Sequence, residues 1–399
     1  MDNITPTDGP KLTFLGKAFI FLFILACIAG AYYMFVGKKS LQETKERASS
    51  LLGGGPPVEI GVAYGTEKQR WLEWAVAEFA KTSEGKHIKV NLIPMGSLEG
   101  AHALISGDQR INAWTPASAA YKDTFIQEWQ VKYNDNPIVR EEQLALTPMV
   151  FVVWDERYQA FIQKYKTMSL QTVDQALQMK GGWDEIAHHP EWGVFKFGHT
   201  HPNQSNSGLM TIVLAAYSYH HKTKDLTLKD VLDVGFQQWL EELERGASGM
   251  SNSTGNMMRE MVLKGPSSYD ALFVYESVAI DYLKNAEGRW GQLRVVYPEY
   301  NAWADNPYYI INASWSTAEQ RKAADTFLNF LLTEPIQKES LNHGFRPGNP
   351  NVGIKFPDSP FIRYAGNGIQ VDLQKICEPP KAEVVNNLLA SWQRSQGSR

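Results

Sequence analysis

Between residues 58 and 118 one pattern recurs three times: an aliphatic run, a turn of small polar residues, then a helical period. Val58-Glu59-Ile60-Gly61-Val62-Ala63 reads as a strand. Gly65-Thr66 turns it into a helix over 67–81 with Trp71, Leu72, Ala75 and Phe79 on one face. A strand over 87–93 runs through Met95-Gly96-Ser97 into a helix over 98–106, and Ile111-Asn112-Ala113-Trp114 runs into Thr115-Pro116-Ala117-Ser118. Such a succession dictates an α/β architecture with a mostly parallel sheet. Turns after parallel strands line one sheet edge, where ligands bind. Gly65, Thr66, Ser97 and Ser118 are therefore candidate ligand-binding residues; helix capping is the competing use of each hydroxyl.

The second half carries the same grammar less regularly. The apolar, β-rich run 144–154, LALTPMVFVVW, with Thr147-Pro148 near its start, is suited to crossing between two lobes. A strand over 194–197 leads into GHTHPNQSNSGL and then an apolar helix over 209–216. A helix start presents unpaired N–H groups and partial positive charge, so it can hold an anion without Lys or Arg. Ser205, Asn206 and Ser207 would add side-chain donors there. Helices are predicted over 170–179, 228–244, 256–263 and 318–333, the last with Ala323, Ala324, Phe327, Phe330 and Leu331 inward. Ser253 and Thr254 precede the third of these, and 269–277 is a buried strand ending in Tyr275 and Glu276. Glu276 reads either as a general base or, because buried charge requires partners, as a hydrogen-bonded structural carboxylate.

The order of these elements resembles type II extracellular solute-binding proteins, the periplasmic-binding-protein type II fold. It is carried by Trp114-Thr-Pro-Ala-Ser118, the crossing run 144–154, His199-Thr-His-Pro-Asn-Gln-Ser-Asn-Ser-Gly208, Asp270-Ala-Leu-Phe-Val-Tyr-Glu276 and the segment 324–345. The nearest branch is the molybdate- and sulfate-type receptors of ABC importers, in particular membrane-tethered relatives. The resemblance spans about residues 58–347 and implies two α/β lobes joined by crossing strands, with solute between them. It implies ligand contacts from Gly65, Thr66, Ser97 and Ser118 on lobe 1 (58–146 and 300–346). On lobe 2 (147–299) it implies Ser205, Asn206, Ser207, Ser253, Thr254 and Tyr275, with Thr147 at the hinge; Glu276, from its place at the strand end, is expected as a buried carboxylate at the crevice. Residues 347–399 form an extension.

Residues 18–36 are 19 without a charge, bracketed by Lys17 and Lys38-Lys39. At ~1.5 Å per residue they match a ~30 Å hydrocarbon core, which predicts one transmembrane helix over about 18–37. Residues 1–17 would be cytoplasmic and 38–57, ending Gly53-Gly54-Gly55-Pro56-Pro57, a linker. Lys38, Lys39, Lys45 and Arg47 after the span, against Lys11 and Lys17 before it, favour a cytoplasmic C-terminus; the resemblance favours an extracytoplasmic one. A net charge of -4 without basic runs argues against nucleic acid. Cys27 and Cys377 build no disulfide framework or Cys-based zinc site. Motifs of metalloproteases, hydrolases, P-loop and dinucleotide enzymes are missing, so no catalytic residues and no cofactor are expected. His199 and His201, near His188 and His189, lack a carboxylate at ligand spacing, and no metal is expected. The expected function is an anchored, non-enzymatic receptor for a small anionic or polar solute, partnered by an ABC permease or another membrane complex. The alternatives are a sensing or assembly subunit with the same clamp and, behind it, a tethered hydrolase.

Overall fold

A computed structural model describes residues 56–397 apart from Glu287 and Gln374. The predicted span 18–36 lies outside the described residues; among these, no helix is long and apolar enough to cross a membrane. Fourteen strands appear in chain order among them. They are β1 (Val58–Tyr64), β2 (Ile88–Pro94), β3 (Ala113–Thr115), β4 (Ile138–Gln143), β5 (Ala145–Trp154), β6 (Phe197–Thr200) and β7 (Met250–Ser251). There follow β8 (Ala271–Tyr275), β9 (Leu293–Val296), β10 (Tyr300–Asn301), β11 (Trp303–Ala304), β12 (Pro307–Ile311), β13 (Arg346–Pro347) and β14 (Lys375–Ile376).

These strands build two lobes. In the first, the sheet order is β2-β1-β3-β12-β4, with β1 parallel to β2 and β3, and β12 antiparallel to β3 and β4. One face packs Trp71, Leu72 and Phe79 of the Gln69–Phe79 helix against Phe327 and Leu331 of the Ala318–Leu331 helix. On the other face Trp114 packs against Phe125 of the Lys122–Tyr133 helix. In the second lobe β5 is the spine. Its first residues pair with β11 and β13 and its last with β8 and β9, all antiparallel, while β6 runs parallel to β8 and β7. Only Leu144 separates β4 from β5, so the chain passes between lobes inside regular structure.

Several elements differ from expectation for local reasons. The 228–244 helix is broken into Leu228–Val231 and Val234–Gly246, because the Asp233 carboxylate accepts the Phe236 N–H at 2.9 Å and restarts the helix. The helix expected from residue 67 begins as a 3-10 turn, Thr66–Lys68, before the α-helix at Gln69. The strand expected over 194–197 is shifted to β6, which buries His199 and Thr200 completely.

The C-terminal extension is an integral part of the fold. Its β14 pairs with β10, and its Ala382–Gly397 helix buries Val384, Val385, Leu388 and Trp392. This helix touches the Lys122–Tyr133 helix of the first lobe and the Asn206–Tyr219 and Val234–Gly246 helices of the second.

Candidate functional site

The turns after β1, β2 and β3 face the helix starts of the second lobe, and polar groups meet between them. Thr66 Oγ1 lies 2.9 Å from Ser253 Oγ, a hydroxyl pair with one partner on each lobe. The Ser118 hydroxyl donates across the same interval to Asn206 Oδ1 at 2.8 Å. Asn206 Nδ2 then donates to the Tyr275 hydroxyl at 2.9 Å. The backbones also touch: a Cβ added at Gly96 would lie 2.2 Å from the Gln204 carbonyl oxygen, so only glycine permits this approach of the two turns.

Behind this contact the second lobe holds a buried knot of hydroxyls. Ser207 Oγ lies 2.6 Å from Thr200 Oγ1, 2.6 Å from Thr254 Oγ1 and 3.3 Å from Ser205 Oγ. Each hydroxyl carries one proton. Three contacts among four hydroxyls use three protons, so the knot keeps an O–H to give elsewhere. The helix Asn206–Tyr219 starts here because Ser205 is extended and its C=O accepts the Leu209 N–H at 3.1 Å. Ser205 makes no side-chain capping bond. A Cβ at Gly208 would lie 2.2 Å from the Thr200 carbonyl, so this glycine lets the helix start sit directly on β6.

The remaining predicted residues stand one layer back. Ser97 Oγ accepts the Ala117 N–H at 3.0 Å and ties two turns of the first lobe together; Gly65 N–H donates to the Thr115 carbonyl at 3.2 Å. Ser253 caps its helix by accepting the Asn256 N–H while also meeting Thr66. Thr147 Oγ1 accepts the Ser277 N–H at 3.0 Å and pins β5 to the Glu276–Ala286 helix. Glu276 is fully buried and held by Arg346, whose Nε and Nη2 donate at 2.8 and 2.7 Å, and by the Tyr297 hydroxyl. Burial raises its carboxyl above the usual range, and the Arg346 and Tyr297 contacts oppose that. The arrangement ties Glu276 to the hinge strands, with three of its roughly four lone-pair sites accepting hydrogen bonds.

Sequence reasoning missed three participants. Lys68 is wholly buried in the 3-10 turn Thr66–Lys68. Arg346 closes the Glu276 site from a strand of two residues, too short for any pattern. His199 and Glu244 form a fully buried pair at 3.1 Å beneath the hydroxyl knot. Burial alone would lower His199, but the Glu244 carboxylate outweighs this and raises its pKa. The Trp392 indole donates to the other Glu244 oxygen at 2.7 Å. Among the described residues, no cluster of three or more His, Cys, Asp or Glu side chains has the geometry to hold a metal ion.

Two α/β lobes thus meet through hydroxyls and helix starts. Residues 60–346 match the family model described as bacterial extracellular solute-binding protein. The chain belongs to that family. Its relatives include a thiosulfate-binding protein of Pseudomonas aeruginosa, 30% identical over 89 residues, which are 22% of this chain and 26% of that one. The chain therefore matches about a quarter of the length of that curated relative. Among solved structures, the sulfate-binding protein of Mycobacterium tuberculosis superposes with a TM-score of 0.54 at 15% identity, covering 86% of this chain and 99% of that one. The ferric binding protein of Campylobacter jejuni gives a TM-score of 0.56 at 12% identity, covering 85% and 98%. Identities this low show the shared fold alone. The family and these neighbours are described as binding proteins.

Proposed function

We propose that this receptor holds a small oxyanion of the sulfate or thiosulfate type between its lobes, using uncharged donors from both. The observation that carries the reading is the pair of cross-lobe contacts, Thr66 with Ser253 and Ser118 with Asn206. Each is a neutral hydrogen bond that a solute oxygen can replace on both sides at once, which gives a solute differential affinity for the closed state. The hydroxyl knot at Ser207 adds a donor with a proton to spare. The thiosulfate-binding relative supports this chemistry. Gly65, Ser97 and Thr147 position the turns and hinge in this account, and Tyr275 orients Asn206. Glu276 holds the hinge.

Anchoring through residues 18–36, with the receptor outside the cytoplasm beside an ABC permease, completes the proposal. A reporter active only in the cytoplasm, fused after Arg399, is expected to be silent.

The test is thermal unfolding of the full chain against sulfate, thiosulfate, molybdate, ferric citrate, amino acids and sugars. A solute at 100 times its Kd stabilises the native state by about 2.7 kcal/mol. Stabilisation by an oxyanion and not by sugars is expected. No shift with any oxyanion overturns the reading.

A further inference from the structure

Beside the cross-lobe hydroxyls lies a charged pair that the neutral-donor account does not use. Lys68 is fully buried, and its ammonium has three acceptors: Glu67 Oε1 at 2.5 Å, Asn306 Oδ1 at 2.9 Å and the Pro116 carbonyl at 3.1 Å. An ammonium has three N–H donors, so all are used. Two of these acceptors are neutral and belong to the lobe's framework; the carboxylate in direct contact is Glu67, itself 5% exposed, and Asp305 adds a weaker attraction from farther off. Glu67 follows Thr66, whose hydroxyl bridges to Ser253. Pro116 lies two residues before Ser118, whose hydroxyl bridges to Asn206. The ammonium is thus held between the two first-lobe turns that reach across the cleft. Glu67 also acts on the facing lobe: its charge adds to burial in holding the Tyr275 phenol well above its ordinary value.

Burial lowers the pKa of Lys68 and Glu67 opposes that shift, so the ammonium relies on its carboxylate. A buried cation that loses its counter-charge is costly; one that exchanges it for another anion in place is not.

We propose that Glu67 is an internal anion in the solute site, and that an incoming oxyanion replaces it as the counter-charge of Lys68. Glu67 is then a specificity-determining residue: it weakens binding of every dianion by repulsion and by competition for Lys68. Only a solute that also satisfies the Thr66, Ser118 and Ser207 hydroxyls displaces it. This rests on the receptor reading above, and the experiment separates the two.

The test uses the full chain and its Glu67→Gln variant, which keeps the shape and removes the charge. Melting is followed in sodium chloride and in sodium sulfate or thiosulfate of equal ionic strength. In chloride E67Q is expected to melt below the parent. Sulfate is expected to restore it selectively, with an apparent sulfate affinity about tenfold above the parent's. Adding Lys68→Met to E67Q is expected to abolish that gain. If the parent binds sulfate and E67Q binds it no more tightly, the exchange is refuted while the receptor reading stands. If the gain survives Lys68→Met, Lys68 is not the exchanging cation and the proposal fails. If neither protein binds either oxyanion, both readings fall. Should E67Q not fold, Glu67→Asp, one methylene shorter of the ammonium, is expected to bind sulfate more tightly than the parent by a smaller factor; unchanged affinity there also refutes the exchange.

Discussion

The two lobes are joined in two chemically opposite ways. On the cleft side they meet through single hydroxyl bonds, Thr66 to Ser253 and Ser118 to Asn206, and through one part-exposed ion pair, Arg70 to Asp281 at 3.1 Å. On the other, the Ala382–Gly397 helix lies against both lobes. It buries Val384, Val385, Leu388 and Trp392, and Thr124 of the first lobe donates to its Asn386 at 3.0 Å. A neutral hydrogen bond contributes only about 0.5–1.5 kcal/mol net, because water or a solute can replace the partner. Buried apolar surface has no such substitute. The contrast teaches which join is built to exchange partners and which is built to persist.

The comparison breaks first at the persistent join. Trp392→Ala removes a buried indole and leaves Glu244 without its N–H donor, and it is expected to cost about 3–5 kcal/mol in urea unfolding. A loss under about 1 kcal/mol would mean that the helix does not hold the lobes. Arg346→Met, which strands the buried Glu276, is expected to cost a similar ~3–5 kcal/mol.

At the exchanging join the expected effect falls on affinity. Replacing Ser205 and Ser207 by Ala is expected to weaken oxyanion binding by about 1–3 kcal/mol per bond lost, read by calorimetry. A drop in stability with unchanged affinity would reduce those hydroxyls to supports of the helix start.

The two joins also differ in pH response. His199, behind the knot and linked through Glu244 to Trp392, has a folded pKa above its ordinary 6.5. Its contribution is complete below pH 6.5 and is lost as pH rises through the raised value. Stability is therefore expected to decline as pH rises above about 6.5, by at most ~1.4 kcal/mol per pH unit. His199→Gln is expected to flatten that slope. An unchanged slope in the variant would show that His199 does not titrate there. The smallest effect belongs to Thr66→Val, which removes one cross-lobe hydroxyl and is expected to cost about 0.5–1.5 kcal/mol of binding.

What could be read from the sequence follows the range of the interactions involved. The turns at Gly65-Thr66, Gly96-Ser97 and Ser118 were legible because a strand period, a small polar turn and a helix period lie side by side in the chain. The loop at Ser205 was legible for the same reason. Ser207 was nominated as a donor at the helix start, but its position amid Thr200, Thr254 and Ser205 depends on three segments meeting. Lys68 was not legible, because two of its three acceptors come from residues 48 and 238 positions away and locally it looks like any helix lysine. The break at Asp233 was visible in principle as a capping residue inside a helical pattern.

One measurement bears on the central claim most directly: calorimetric titration of the full chain and of its Ser207→Ala variant with sodium thiosulfate and sodium sulfate. The account predicts saturable binding to the parent and at least tenfold weaker binding to the variant at equal folded fraction. Absence of binding to the parent, or equal affinity in both proteins, would contradict it.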